Sequence, residues 1–285
     1  MTYNLIRARQ TGAKPNSTEI AACWEHLKQD GWVVLRGFDM SLDDFNALTG
    51  EFCKSVTFDP AREISNNATQ KVDAGLGEIG LHIENGNTPV CPDIVAFFAR
   101  TAAFEGSQTT ICDGSAIFDA FDDETKAHWQ RPVTVKRNLP EDIWKRYLTN
   151  EHPGLSDPSQ ITPTHIKQFQ AAIPGQSFEM KSDGSLDYML QINPVRESNL
   201  SNTFGFANAI LGPSHNYERP SYTFADGSVV SDADIAALRA MAETHTHEIN
   251  WNDGDIAILD NTRVMHGRRG IKDSGRELFI GMGRV

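Results

Sequence analysis

No apolar run in these 285 residues reaches the roughly 18 that a bilayer-crossing helix needs. The opening MTYNLIRARQTGAKPNST has basic residues but no apolar core, which argues against a secretory signal. No G-x-G-x-x-G follows an early strand, so the dinucleotide fingerprint is missing. Cys23, Cys53, Cys91 and Cys112 form no C-x-x-C pair, and a disulfide framework is not expected. Scattered thiols instead suit burial in a reducing compartment, which predicts a cytoplasmic protein. Positive charge is also in deficit: 26 Lys and Arg against 38 Asp and Glu leave a net charge of −12 with no basic stripe. That balance argues against a nucleic-acid partner.

What is present suits a folded domain. Hydrophobic residues at 39% supply a sizeable core, and the length predicts one domain over 1–285. Ser17 and Thr18 are N-cap candidates for a helix through AACWEHLKQ, and Ser41 for one through LDDFNALTGEFCK. GWVVLRGF between them reads as a strand. From about 72 to 113 the text turns to short strand-like runs, DIVAFFAR and SQTTIC among them. Residues 115–172 read as a helical insertion punctuated by prolines. SLDYMLQINPV, TFGFANAIL, DIAILDN and ELFIGMGRV read as further strands, with a helix capped by Ser231 before the last two. Short strands with helices at the start and in insertions predict a mainly β fold with flanking helices, a jelly roll or double-stranded β-helix.

The chemistry begins at GLHIEN. On a strand, residues i and i+2 share a face, so His82 and Glu84 would project together with Ile83 turned away. Two histidines and one carboxylate on one face form the triad of non-haem Fe(II) oxygenases. The pair alone is weak, since H-x-E arises by chance, and a third ligand must come from a distant strand. His26 and His128 fall on predicted helix surfaces, His152 and His165 in the insertion, and His215 in a loop. His245 and His247 sit where a helix ends. His266 remains, following an apolar Val264–Met265 pair in DIAILDNTRVMHGRRG. Ten residues later stands Arg276. A guanidinium there can hold the far carboxylate of a 2-oxo acid by two parallel charge-assisted bonds, which a lysine cannot reproduce. Thr109 offers a hydroxyl to complete that pocket.

These residues resemble the taurine dioxygenase-like Fe(II)/2-oxoglutarate oxygenases, which share their jelly roll with the clavaminate synthase-like enzymes. The resemblance is carried by His82-Ile83-Glu84, by EGSQT with Thr109 27 residues after His82, by LDNTRVMHGRR with His266, and by GREL with Arg276. It covers 80–113 and 255–285 well and the middle of the chain only loosely. It implies Fe(II) held by His82, Glu84 and His266, and 2-oxoglutarate held at its distal carboxylate by Arg276 and Thr109. It also implies a reaction with O2 that hydroxylates an unactivated C–H of a small polar substrate and releases succinate and CO2. The substrate expected by analogy is an amino acid or a specialised-metabolism intermediate, free or carrier-tethered. Ile280 stands where sulfonate-using members have a second arginine, which argues against a taurine-type substrate. Related halogenases carry a small residue at the carboxylate position, so Glu84 predicts oxygenation. Asn261, just before the distal histidine, is a candidate to orient the turn. The Arg268–Arg269 pair reads equally as a substrate clamp or as solvated charge. Two other classes stay open at this level: a non-catalytic jelly roll that binds a metal or ligand, and a metal-dependent hydrolase on a cupin-like scaffold. Homo-oligomerisation is compatible with the sequence and not specified by it.

Overall fold

Alternation along a few strands builds the centre of the molecule. In Trp32–Arg36, Val33 and Leu35 face one way, Trp32 and Val34 the other. Ile94–Thr101 divides the same way: Ile94, Ala96 and Phe98 join the first face, Val95, Phe97 and Ala99 the second. A strand apolar on both faces must be covered on both. The computed structural model describes residues 4–285 apart from 60, 61, 63, 64, 66–68, 73, 74, 152, 153, 156 and 213–218, with backbone only at 150 and 151.

The first face packs under two helices. Ser17–Asp30 contributes Cys23 and Leu27, and Leu42–Phe52 contributes Phe45 and Leu48. The first of these is capped by Asn16, not by Ser17 or Thr18. Its side chain accepts from the Thr18 and Glu19 amides while Glu19 reaches back, a capping box that puts Ser17 inside the helix. Ser41 and Ser231 cap their helices as expected, each in a box with an aspartate three residues on.

The second face closes on another sheet. The large sheet runs Leu5–Arg7, Trp32–Arg36, Ile256–Asp260, Ile94–Thr101, Glu277–Arg284, Ser55–Val56, with Thr69–Lys71 also on the Glu277–Arg284 strand. The facing sheet has four strands in the order Thr246–Ile249, Thr109–Asp113, Val264–Arg268, Ile79–His82. Ile111, Ile249 and Val264 of the small sheet interlock with Trp32, Phe97 and Leu259 of the large one. Two mostly antiparallel sheets face to face, with flanking helices, make the jelly roll.

The outer face of the small sheet is covered in turn. Cys112 and Met265 pack under Leu238 and Ala242 of helix Asp232–Thr244 and join a third sheet. That sheet orders Ser221–Phe224, Val133–Leu139, Leu186–Ile192, Gln176–Met180. The span 115–172 therefore differs from a purely helical segment. It holds helices Asp123–Trp129, Glu141–Glu151 and Pro163–Ala172, but Val133–Leu139 between them is a strand paired on both edges. Val133 and Val135 are fully buried at period two, so tertiary packing overrides the helical surroundings.

Candidate active site

The small sheet brings His82 and His266 together. They are direct Cα partners across the antiparallel Ile79–His82 and Val264–Arg268 strands, so both side chains rise from one face. Their rings lie 4.6 Å apart between centroids, and Phe97 meets the His266 ring edge-on at 5.0 Å. Glu84 arrives differently from the strand geometry expected of it. The strand ends at His82, and Glu84 opens a turn. Its place is fixed by Asn261, whose Oδ1 accepts from the Glu84 N–H at 2.8 Å while Nδ2 donates to the Glu84 carbonyl at 3.2 Å. The Asn261 amide also donates to Pro92 O.

The three side chains converge. Glu84 Oε1 lies 3.3 Å from His266 Nε2 and 3.8 Å from His82 Nε2. One ligand atom from each falls within 4.8 Å of the others, the one such cluster found among the described residues. His82 Nδ1 sits 2.9 Å from the Gly80 carbonyl. A carbonyl only accepts, so Nδ1 carries a proton and Nε2 is the ring nitrogen that faces Glu84 and His266. Burial pushes the His266 pKa down to about 4, leaving a neutral imidazole at physiological pH. For Glu84, burial works toward the neutral acid. The Arg62 guanidinium, 3.0 Å from Oε1, and both imidazoles outweigh it and hold the carboxyl well below its ordinary range. Two imidazoles and one ionised carboxylate on a common centre are a donor set that fits Fe(II).

Thr109 is buried and Arg276 half-buried, and the two do not bond to each other. Thr109 pairs with Arg268 across the strands and shares the face of His266; its Oγ1 accepts from Trp251 Nε1 at 3.0 Å. Arg276 donates to Ser107 Oγ at 3.0 Å and, more weakly, to Val72 O at 3.4 Å. Both partners are neutral, and no carboxylate of the described residues pairs with it. Burial, aided by the charge of Arg268, brings the Arg276 pKa down to about 10. A half-buried cation with neutral partners only is matched to an incoming carboxylate.

Two participants were not singled out from the sequence, and a third was read only as half of a pair. Ser107 sits in the quoted EGSQT run, where only the threonine drew attention. Arg62 lies 20 residues before His82 with no motif to mark it. Arg268, weighed from the sequence only together with Arg269, stands two residues after His266 on the same face; it is 4% exposed and donates to Gly75 O and Gly77 O. Arg269 is held in ion pairs with Glu78, Glu243 and Glu248 at 2.5–3.0 Å and lines the cavity that opens from His82 and Glu84. The two arginines thus have different surroundings, Arg268 buried on backbone carbonyls and Arg269 in partly exposed ion pairs. His26 and His128 pair with Asp30 and Asp234, and His247 lies against Trp32. His152 and His215 lie outside the described residues. A cavity of about 1020 Å³ opens from His82 and Glu84 toward the third sheet and helix Glu141–Glu151.

Comparison with known proteins agrees with this arrangement. Dapdiamide synthesis protein DdaC of Enterobacter agglomerans is 24% identical over 272 residues, covering 86% of this chain and 80% of that protein. Among solved structures, PvcB of Pseudomonas aeruginosa superposes with a TM-score of 0.63 at 14% identity, over 99% of this chain and 85% of its own. AAD-2, solved with Mn(II) and N-oxalylglycine, gives 0.61 at 16% identity, over 98% and 92%. The family model of the taurine catabolism dioxygenases matches residues 9–282. The chain belongs to the taurine catabolism dioxygenase TauD, TfdA family, and is a 2-oxoglutarate-dependent non-haem iron dioxygenase whose cofactors are Fe(II) and 2-oxoglutarate.

Proposed function

We propose that the whole chain acts as one oxygenase domain that hydroxylates an unactivated C–H bond of a small polar metabolite, an amino acid or a specialised-metabolism intermediate. His82, Glu84 and His266 would hold the metal. The observation that carries this reading is the convergence of those three side chains within 4.8 Å, together with a half-buried Arg276 that has neutral partners only. Bound there, Fe(II) with 2-oxoglutarate and O2 supplies the oxidising power for hydroxylation, the keto acid being converted to succinate and CO2.

The chain's own contribution is placement and exclusion. Arg276 would hold the distal carboxylate of 2-oxoglutarate, with Ser107 already on the guanidinium and the Thr109 hydroxyl on the neighbouring strand. Arg62 and Asn261 keep Glu84 ionised and aimed. Phe97 closes the apolar side of His266, which limits water at the reacting centre. The carboxylate at position 84 leaves no room for a halide ligand, so the outcome is oxygenation. Four free cysteines support a cytoplasmic setting, and among the described residues no helix is long and apolar enough to cross a membrane.

Anaerobic addition of Fe(II) and 2-oxoglutarate tests the assignment. The wild-type protein is expected to develop the visible charge-transfer absorption of an iron–keto acid chelate, and Glu84→Ala to lose both that absorption and succinate formation. Undiminished succinate from Glu84→Ala would refute the ligand set.

A further inference from the structure

Thr109 uses its hydroxyl in one direction only. Its Oγ1 accepts from Trp251 Nε1 at 3.0 Å and donates to none of the described residues. The residue is 3% exposed, so bulk solvent does not take up the proton. An indole nitrogen can only donate, and this fixes the role of the hydroxyl: one lone pair is engaged, and the O–H has to lie along another direction. A buried donor left over in this way is costly unless something meets it.

The neighbours of Thr109 point to an anion. Its Cα partners are Arg268 on one side and Ile249 on the other. Trp251 follows Ile249 by two residues, just beyond the strand Thr246–Ile249, and packs its ring against the core cluster that holds Phe97, Ile111 and Ile249. Val72, whose carbonyl accepts from Arg276, packs against the same cluster. Ser107, two residues before Thr109, also accepts from Arg276. Arg268 and Arg276 are close enough that the charge of one disfavours the charge of the other. An arriving carboxylate would therefore meet a guanidinium with neutral partners and an O–H not yet engaged. A hydroxyl that accepts from a fixed donor is itself polarised into a stronger donor, so Nε1–H, O–H and carboxylate would form one chain of bonds.

We propose that Trp251 is a positioning residue for 2-oxoglutarate. Its N–H holds the Thr109 oxygen as an acceptor and so aims the hydroxyl proton at the distal carboxylate that Arg276 grips. Trp251 need not touch the keto acid; it acts through Thr109. The inference rests on the oxygenase reading and adds to it what gives the Thr109 hydroxyl its direction. Phenylalanine at 251 would keep a ring in the same packing and remove only the donor, leaving the Thr109 proton free to rotate away.

Calorimetric titration of the Mn(II)-loaded protein with 2-oxoglutarate tests this on wild type, Trp251→Phe, Thr109→Val, Thr109→Ser and the Trp251→Phe/Thr109→Val double variant. Trp251→Phe is expected to weaken keto-acid binding about threefold to tenfold. Its Mn(II) affinity should stay within about twofold of wild type, which shows that the site is still folded. The double variant should bind 2-oxoglutarate within about twofold of Thr109→Val alone, because the indole has nothing left to aim. Thr109→Ser, which keeps the hydroxyl, should bind like wild type. A tie that merely holds the loop predicts a lower melting temperature and unchanged keto-acid affinity in Trp251→Phe, and that result overturns the proposal. Losses that add in the double variant, or Thr109→Ser binding as weakly as Thr109→Val, overturn it as well. Absence of 2-oxoglutarate binding by the wild-type protein overturns the oxygenase reading, and the role of Trp251 with it.

Discussion

Asn261 grips the backbone of Glu84 from both sides, accepting from its N–H at 2.8 Å and donating to its carbonyl at 3.2 Å. The bond ties the turn before the distal histidine to the turn after the proximal one, across 177 residues of sequence. Asn261→Ala would leave a buried N–H and two carbonyls without a partner, at a cost of about 1–3 kcal/mol. It would also free the Glu84 carboxylate to wander. Metal affinity is expected to fall about 10–100-fold, read by Mn(II) titration, in a protein that still folds. Unchanged affinity would mean that Arg62 alone is enough to aim the carboxylate.

Arg276 should behave as a fork and not as a point charge. Arg276→Lys keeps the charge but cannot make two parallel bonds to a carboxylate, so the KM for 2-oxoglutarate should rise at least about tenfold. Arg276→Met should raise it further. Neither change touches His82, Glu84 or His266, so Mn(II) affinity without the keto acid should stay within about twofold of wild type.

Gly267 explains how two inward side chains can flank one residue. A Cβ there would stand 2.5 Å from the Ile79 carbonyl oxygen and 2.8 Å from Thr110 Oγ1. The strands carrying His266 and His82 approach too closely on that side for any side chain, and their register shifts between His266 and Arg268. Gly267→Ala should therefore separate the two imidazoles. The expected result is a loss of both thermal stability, by several degrees, and metal affinity. A stable variant with intact affinity would contradict the close approach.

The cysteines offer a pH readout away from the iron. Burial holds Cys23, Cys53 and Cys112 as thiols, with pKa pushed up from 9 to about 12. The folded chain keeps these protons where the unfolded chain releases them. Their contribution to stability is complete below pH 9 and is lost as pH rises toward 12. Denaturation midpoints should fall across that window, and replacing the three by alanine or serine should flatten the fall. At pH 8 a disulfide reagent should label these positions no faster than the protein unfolds.

Local pattern made part of this site readable. His82 and Glu84 announce themselves as a pair, and His266 by its place behind a fully apolar strand. The geometry linking them was less accessible. Glu84 was expected on a strand, but the strand stops at His82, because the chain turns through Asn85 at φ +55° and needs Asn261 as a clamp. Thr109 read as a second hydroxyl for the Arg276 pocket; Ser107, two residues earlier and at φ +65°, already accepts from the guanidinium, and Thr109 accepts from Trp251. Such choices depend on backbone direction at single residues, which residue type does not encode. Val133–Leu139 lay hidden for another reason: Lys136, Arg137 and Asn138 interrupt its apolar alternation between two helical stretches. The residue that obscured the strand, Arg137, lines the cavity.

His82 and His266 face each other on adjacent strands of one small sheet, while the third sheet is built almost wholly from the span between them. The oxidant and the lodging for its target thus rest on different sheets that share one apolar core. A transplanted 133–192 segment would redirect such a catalyst to new molecules and leave its redox machinery as it was.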